Sequence, residues 1–229
     1  MSRVGAVLLP LSIILFTIAT AVWHPHRENP MDHLAVFMEY SQSGNWVAVH
    51  FAQWVAASSL SGGLIALYYS LATNAREGAR VAARFGLVGS VLTAAAFTML
   101  QAVDGVALKW AVDAWASAPV DERAPLLAGA MALRWTEYAL QSYSNVLLGV
   151  TLLLFAGAMA LGARYPRWLA WAAAGSGIAW IAHGVTVAYI GLFDSTPRLV
   201  AIILLAAWGF SLAFLMWRDG GPAGTTPGV

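Results

Sequence analysis

The chain has 229 residues, of which 60% are hydrophobic and 10% charged, where a soluble domain carries roughly a quarter charged residues. That balance excludes an ordinary soluble fold and implies an all-α polytopic membrane bundle, in which each crossing needs about 20 apolar residues. The chain has no cysteine, which excludes disulfides, thiolate metal sites and cysteine catalysis, and its formal net charge of +1 gives no basis for binding nucleic acid.

Six apolar segments are long enough to span, at residues 4–22, 46–71, 85–103 with a polar extension to 115, 126–161, 168–193 and 199–217. The first follows Arg3 and contains Ala19-Thr20-Ala21, which resembles a signal peptide with its cleavage site; it reads here as a retained anchor. Trp23 falls at interface depth, and Pro25 and Pro30 interrupt any regular helix between them. His24-Pro25-His26 is therefore a loop beside Arg27, more simply solvated than metal-binding, although two histidines so spaced can chelate a borderline metal. From Asp32, a suitable N-cap, a short interfacial helix is predicted, and Gly44 separates it from the second span. Residues 1–218 form one transmembrane domain, and the Gly-, Pro- and Thr-rich residues 219–229 a disordered tail.

Basic residues in short connections mark the cytoplasmic side. Arg3, the group Arg76, Arg80 and Arg84, the pair Arg164 and Arg167, and Arg218 all fall on one side of a six-span arrangement. Both termini are accordingly expected in the cytoplasm of a bacterial cell. The opposite, exoplasmic side holds most of the carboxylates and four of the five histidines.

Polar residues inside spans are costly and therefore mark functional positions. In the second span Trp46, His50, Gln53, Ala57 and Ser61 recur at three or four residues and share one inward face. The third carries Gln101 and Asp104 on one face, and Lys109, the only lysine, is placed to pair with Asp104. The fourth has the clearest pattern, Arg134, Glu137, Gln141, Ser144 and Asn145, an inward polar stripe in which Arg134 and Glu137 can neutralise each other. In the fifth, Ser176, His183 and Thr186 share a face, and His183 lies about 15 Å below the exoplasmic end at 1.5 Å per residue. The sixth offers only Ser211 and reads as packing.

Before the fifth span, Ala163-Arg164-Tyr165-Pro166-Arg167-Trp168-Leu169 leads into a Gly- and Ala-rich helix. This basic Pro-Arg-Trp-Leu turn, with the chain length, resembles an uncharacterised bacterial family of six-helix integral membrane proteins, a domain of unknown function. The resemblance implies the fold and carries no active residues across. The histidine-rich first connection is richer than that pattern.

His50, Gln101, Asp104, Glu137, Gln141, Asn145 and His183 are expected to line one exoplasmic bowl floored by His183. Glu137 or Asp104 would serve as acid or base with His50 or His183, and Trp46, Gln53, Gln101, Gln141 and Asn145 would contact a small hydrophobic ligand or lipid. His50, His183 and Glu137 also match the donor types of a divalent zinc or iron centre, without a local ligand motif. Two further readings differ in class. One is an accessory subunit of a membrane complex holding a lipid or quinone; the other is a b-type cytochrome with His50 and His183 as axial ligands, disfavoured because His183 is expected a turn or more deeper.

Overall fold

The computed structural model describes residues 1–25, 28–73, 75–192 and 195–219. Among them there is no strand, and eight helices run in order: α1 (Ser2–Ile18), α2 (His33–Gln42), α3 (Trp46–Ala72), α4 (Glu77–Ala102), α5 (Lys109–Ser117), α6 (Arg123–Leu161), α7 (Arg167–Ile190) and α8 (Thr196–Asp219). A π-helical turn, Ala19–Trp23, extends α1, and another, Val103–Leu108, joins α4 to α5 without a break. Six of the resulting rods are long and apolar enough to cross a membrane.

α1 packs on α3 and α8, α3 on α4, α4 on α6, α6 on α7, and α7 on α8. The six rods thus close into a ring taken in chain order, with α3 standing opposite α7. An even number of crossings puts both helical ends of the chain at one end of the ring, where the Arg3 guanidinium lies 5.6 Å from the Trp217 ring. Val88, Leu92, Ile178 and Phe214 are exposed, an apolar surface of the kind that lipid covers.

Small side chains allow the tightest contact, between α6 and α7. A Cβ on Gly149 would meet the Gly177 carbonyl, one on Gly177 would come 2.7 Å from the Gly149 carbonyl, and one on Gly184 would come 2.7 Å from that of Ser142. Without competing hydrocarbon burial, such close backbone approach is how membrane helices gain packing energy. The basic end is filled by Leu9, Leu64, Leu67, Leu152, Phe155 and Trp208, each fully buried, and closed by a 2.6 Å hydrogen bond between Ser70 and Tyr165.

The acidic end is covered by α2. Asp32 caps that helix as expected, its Oδ1 accepting from the Ala35 N–H at 3.1 Å, and α2 stops at Gln42 ahead of Gly44. Its apolar face buries Val36, Phe37 and Tyr40 against Trp46, Leu108, Val112, Trp115 and Ala130. Three side chains tie the covering segment down by its carbonyls: Asn45 donates to Trp23, Tyr138 to Pro30 and Lys109 to Ser41. At Gly191, φ is +81°, and a Cβ there would come 2.9 Å from the sulfur of Met31, so this residue both turns the chain and admits the cover.

Helices run further than hydropathy alone indicates. α4 begins at Glu77 and α6 at Arg123, because amphipathic turns continue each rod beyond its apolar core, and α8 continues through Asp219. The remaining tail, 220–229, and Phe193 at the end of the fifth expected span lie outside the described residues.

Candidate functional site

The polar centre forms where α3, the π turn after α4, and α6 meet beneath α2. His50 is 2% exposed. Its Nδ1 lies 2.8 Å from the Trp46 carbonyl, one turn back, and its Nε2 lies 3.0 Å from Asp104 Oδ2. A carbonyl only accepts, so Nδ1 carries a hydrogen, and the bond between Nε2 and Asp104 holds a single proton that either partner can own. The indole N–H of Trp46 donates to the Asp104 backbone carbonyl at 3.0 Å, fixing the two helices in register.

Asp104 sits at the second position of the π turn, whose extra residue rotates the side chains that follow it, those of α5, by about 100° relative to an uninterrupted α-helix. Gly105 comes next, and a Cβ there would overlap the His50 side chain. Asp104 Oδ1 is buried and has no hydrogen-bond partner among the described residues.

Beside this dyad, Arg134 Nη1 donates to Glu137 Oε2 at 2.7 Å and to the Tyr40 hydroxyl at 3.1 Å. The guanidinium also stacks over two rings, 4.9 Å from that of Tyr138 and 5.6 Å from that of Tyr40. With Arg134 1% and Glu137 3% exposed, this is a buried ion pair, in which the aromatic faces replace part of the lost hydration of the cation. Burial, ahead of the opposing charge of Arg134, pushes the Tyr40 phenol well above the usual tyrosine range, so α2 presents a neutral hydroxyl. Aromatic rings enclose the assembly: His24 lies 4.8 Å from Trp46 and 5.3 Å from His50, and Tyr40 3.8 Å from Trp46.

A layer of amides lies a turn below. Gln53 donates to Thr20 at 3.2 Å, Gln141 donates to Asn145 Oδ1 at 3.0 Å, and Gln101 is buried with its Oε1 unpartnered among the described residues. Below them again is a cavity of about 120 Å³, lined by all six spanning rods and mostly apolar.

The structure therefore brings His50 and Asp104 together on one hand and Arg134 and Glu137 on the other. It places Trp46, Gln53 and Gln101 around the first pair and Gln141 and Asn145 below the second. His183, at 4% exposure, is on the rod opposite His50, with Nδ1 3.1 Å from the Ser195 hydroxyl. Lys109 pairs with Asp113 at 2.6 Å instead of Asp104, because i, i+4 spacing on α5 favours Asp113 while Asp104 is engaged by His50. His24 packs on the site where a solvated loop was expected, and His26 lies outside the described residues.

For metal, no group of three or more histidines and carboxylates among the described residues is disposed to hold an ion. His50 and Asp104 supply two donors already bonded to each other, and Glu137 is engaged by Arg134. Tyr40 is the site residue that spacing did not single out, and its clue was the Val36, Phe37, Tyr40 stripe on α2; His24 was singled out for its spacing with His26, as a loop residue and not as part of this site.

No protein-family model matches this chain, and comparison with curated proteins and with solved structures finds no match either.

Proposed function

We propose that this integral membrane protein is an acid–base site for a small hydrophobic ligand, in which the His50–Asp104 dyad exchanges a proton with the polar part of the bound molecule. The observation that carries the reading is the dyad itself: Nδ1 is pinned by the Trp46 carbonyl, one proton is shared at 3.0 Å, and Asp104 keeps a buried second oxygen. With both ring nitrogens of His50 engaged, the position left to exchange a proton with a ligand is the second oxygen of Asp104, and the imidazole behind it supplies or takes up charge as that proton moves. The Arg134–Glu137 pair lies beside the dyad as a mutually neutralised couple, and α2 covers the centre.

The basic connections at the other end support placing this site on the exoplasmic side of a bacterial cytoplasmic membrane, with both termini inside. The basic Pro-Arg-Trp-Leu turn supports membership of the uncharacterised six-helix family. The metal reading needs Glu137 to leave Arg134, and the haem reading needs His50 Nε2 to leave Asp104 and a second ligand from across the ring.

The test is co-purification. Organic extracts of the full chain, isolated from its native membrane in mild detergent, are compared by mass spectrometry with those of Asp104→Asn and His50→Gln. An amphipathic small molecule enriched with the wild type and depleted from both variants is expected; equal extracts from all three refute the reading.

A further inference from the structure

The cavity below the amide layer has a wall of mixed character. Phe16, Leu60, Phe97 and Leu148 make most of it apolar, yet Ser144, Asn145 and Trp180 also line it. On these three, Ser144 Oγ, Asn145 Nδ2 and Trp180 Nε1 are buried without a hydrogen-bond partner among the described residues. Ser144 and Asn145 are 2% and 4% exposed, and Asn145 has already used its oxygen as acceptor for Gln141. What it has left is a donor.

Buried amide and indole donors without acceptors are costly, and native proteins rarely leave several together. All three belong to the α6 and α7 side of the ring, so one group reaching that wall can serve them jointly. Asn and Trp nitrogens only donate, and the serine hydroxyl can donate too, so the complementary group is an acceptor with two lone pairs. The apolar remainder of the lining demands a hydrocarbon body. At about 120 Å³, the space compares with a cavity of roughly 150 Å³ that takes up benzene.

We infer that this central cavity is a binding chamber for a small apolar molecule, of single-ring size, that carries a carbonyl-type acceptor oxygen directed at Asn145 and Trp180. The inference deepens the proposed ligand-binding function and rests on it: the chamber lies on the ring axis below Gln53 and Gln141, where a ligand's body is held while its polar part reaches toward the dyad. A purely apolar guest would leave the donors unmatched. Of the polar residues on the other walls, Ser12, Thr17 and Thr93 already bond within the protein, so the unmatched donors are those of the α6 and α7 wall.

Acetophenone and ethylbenzene, alike in size and differing at the carbonyl, are the probes. Binding to the full chain in lipid nanodiscs is measured by saturation-transfer NMR, with empty discs as the background. The wild type is expected to bind both saturably and to prefer acetophenone by about tenfold, the worth of one matched hydrogen bond of roughly 1.4 kcal/mol. Asn145→Leu and, as the milder variant, Trp180→Phe should keep ethylbenzene binding and reduce the preference. Ala57→Phe, which fills the chamber, should remove binding of both.

No saturable binding to the wild type, equal affinity for the two probes, or a preference that survives both donor variants overturns the inference. Asp104→Asn separates this outcome from the acid–base proposal. Acetophenone binding by wild type and Asp104→Asn alike, with no co-purified molecule lost in that variant, keeps the chamber and sinks the dyad's role. A depleted co-purified molecule without acetophenone binding does the opposite.

Discussion

His50 Nε2 and Asp104 Oδ2 lie 3.0 Å apart across two helices, although 54 positions separate them in the chain. The bond depends on Gly105, next to Asp104 in the π turn, whose missing Cβ lets α3 approach. Gly105→Ala should therefore push the helices apart and break the dyad while leaving the distant basic end intact. Histidine ¹⁵N NMR of the full chain checks this: His50 should lose the signature of a shared Nε2 proton. An unchanged His50 resonance in a folded Gly105→Ala protein would show that the close approach does not matter.

The Arg134–Glu137 pair makes a prediction about stability. Arg134→Met leaves Glu137 as an unpaired buried carboxylate, a change that costs about 3–5 kcal/mol in comparable settings. Glu137→Gln still accepts from Arg134 but leaves a buried guanidinium, which cannot shed its proton, without a counter-charge; it should cost a comparable amount, about 3–5 kcal/mol, and deplete any co-purified ligand. Glu77→Gln, exposed at the basic end, should change neither. Thermal unfolding in detergent beside the extract comparison measures both effects; equal melting of Arg134→Met and wild type contradicts the account.

The covering helix should respond to pH through His33. Burial, with the Arg134 charge adding to it, holds this imidazole below the usual histidine range, and its place in the first turn of α2 adds a helix end that disfavours a cation. The folded cover thus prefers the neutral ring. Both states are neutral well above the unfolded value near 6.5, so no penalty exists there; as pH falls through 6.5 toward the depressed folded value, the released segment binds the proton more readily and the cover loosens. Hydrogen exchange should show α2 amides opening more at pH 5.5 than at pH 7.5, with the difference reduced in His33→Gln. Equal exchange in wild type and variant at both pH values would remove His33 as the cause.

Helical spacing made much of this legible from sequence. Six spans, the Asp32 cap and the stripe from Arg134 to Asn145 come from apolar length and a period near 3.6, because those signals are local. The pairings were not local. Asp104 and Lys109 are five apart and do not share a face of an ideal helix, and the partner of Asp104 is His50, 54 positions away. His183 shares a depth range with the other polar residues, yet ring closure sets α7 opposite α3, and no periodicity within a span reports which spans are neighbours. His24 was read as solvated because proline flanks it, whereas the packing of Trp46 and Tyr40 gives it a surface to lie on.

Membrane orientation is the last prediction, and the chain is well suited to it because it has no native cysteine. The ring puts α2 and the connection between α5 and α6 at one end, and the basic connections at the other. If arginine retention on the cytoplasmic side governs insertion, the site end faces outward. A single cysteine at Val120, 84% exposed in the α5–α6 connection, should react with a membrane-impermeant maleimide in intact bacterial cells. One at Glu77, exposed at the start of α4, should react only after the membrane is opened. The reverse pattern turns the protein over and places the His50–Asp104 dyad toward the cytoplasm; its chemistry would then draw on the cytoplasmic proton pool, and an acid–base role would have to be judged at cytoplasmic pH.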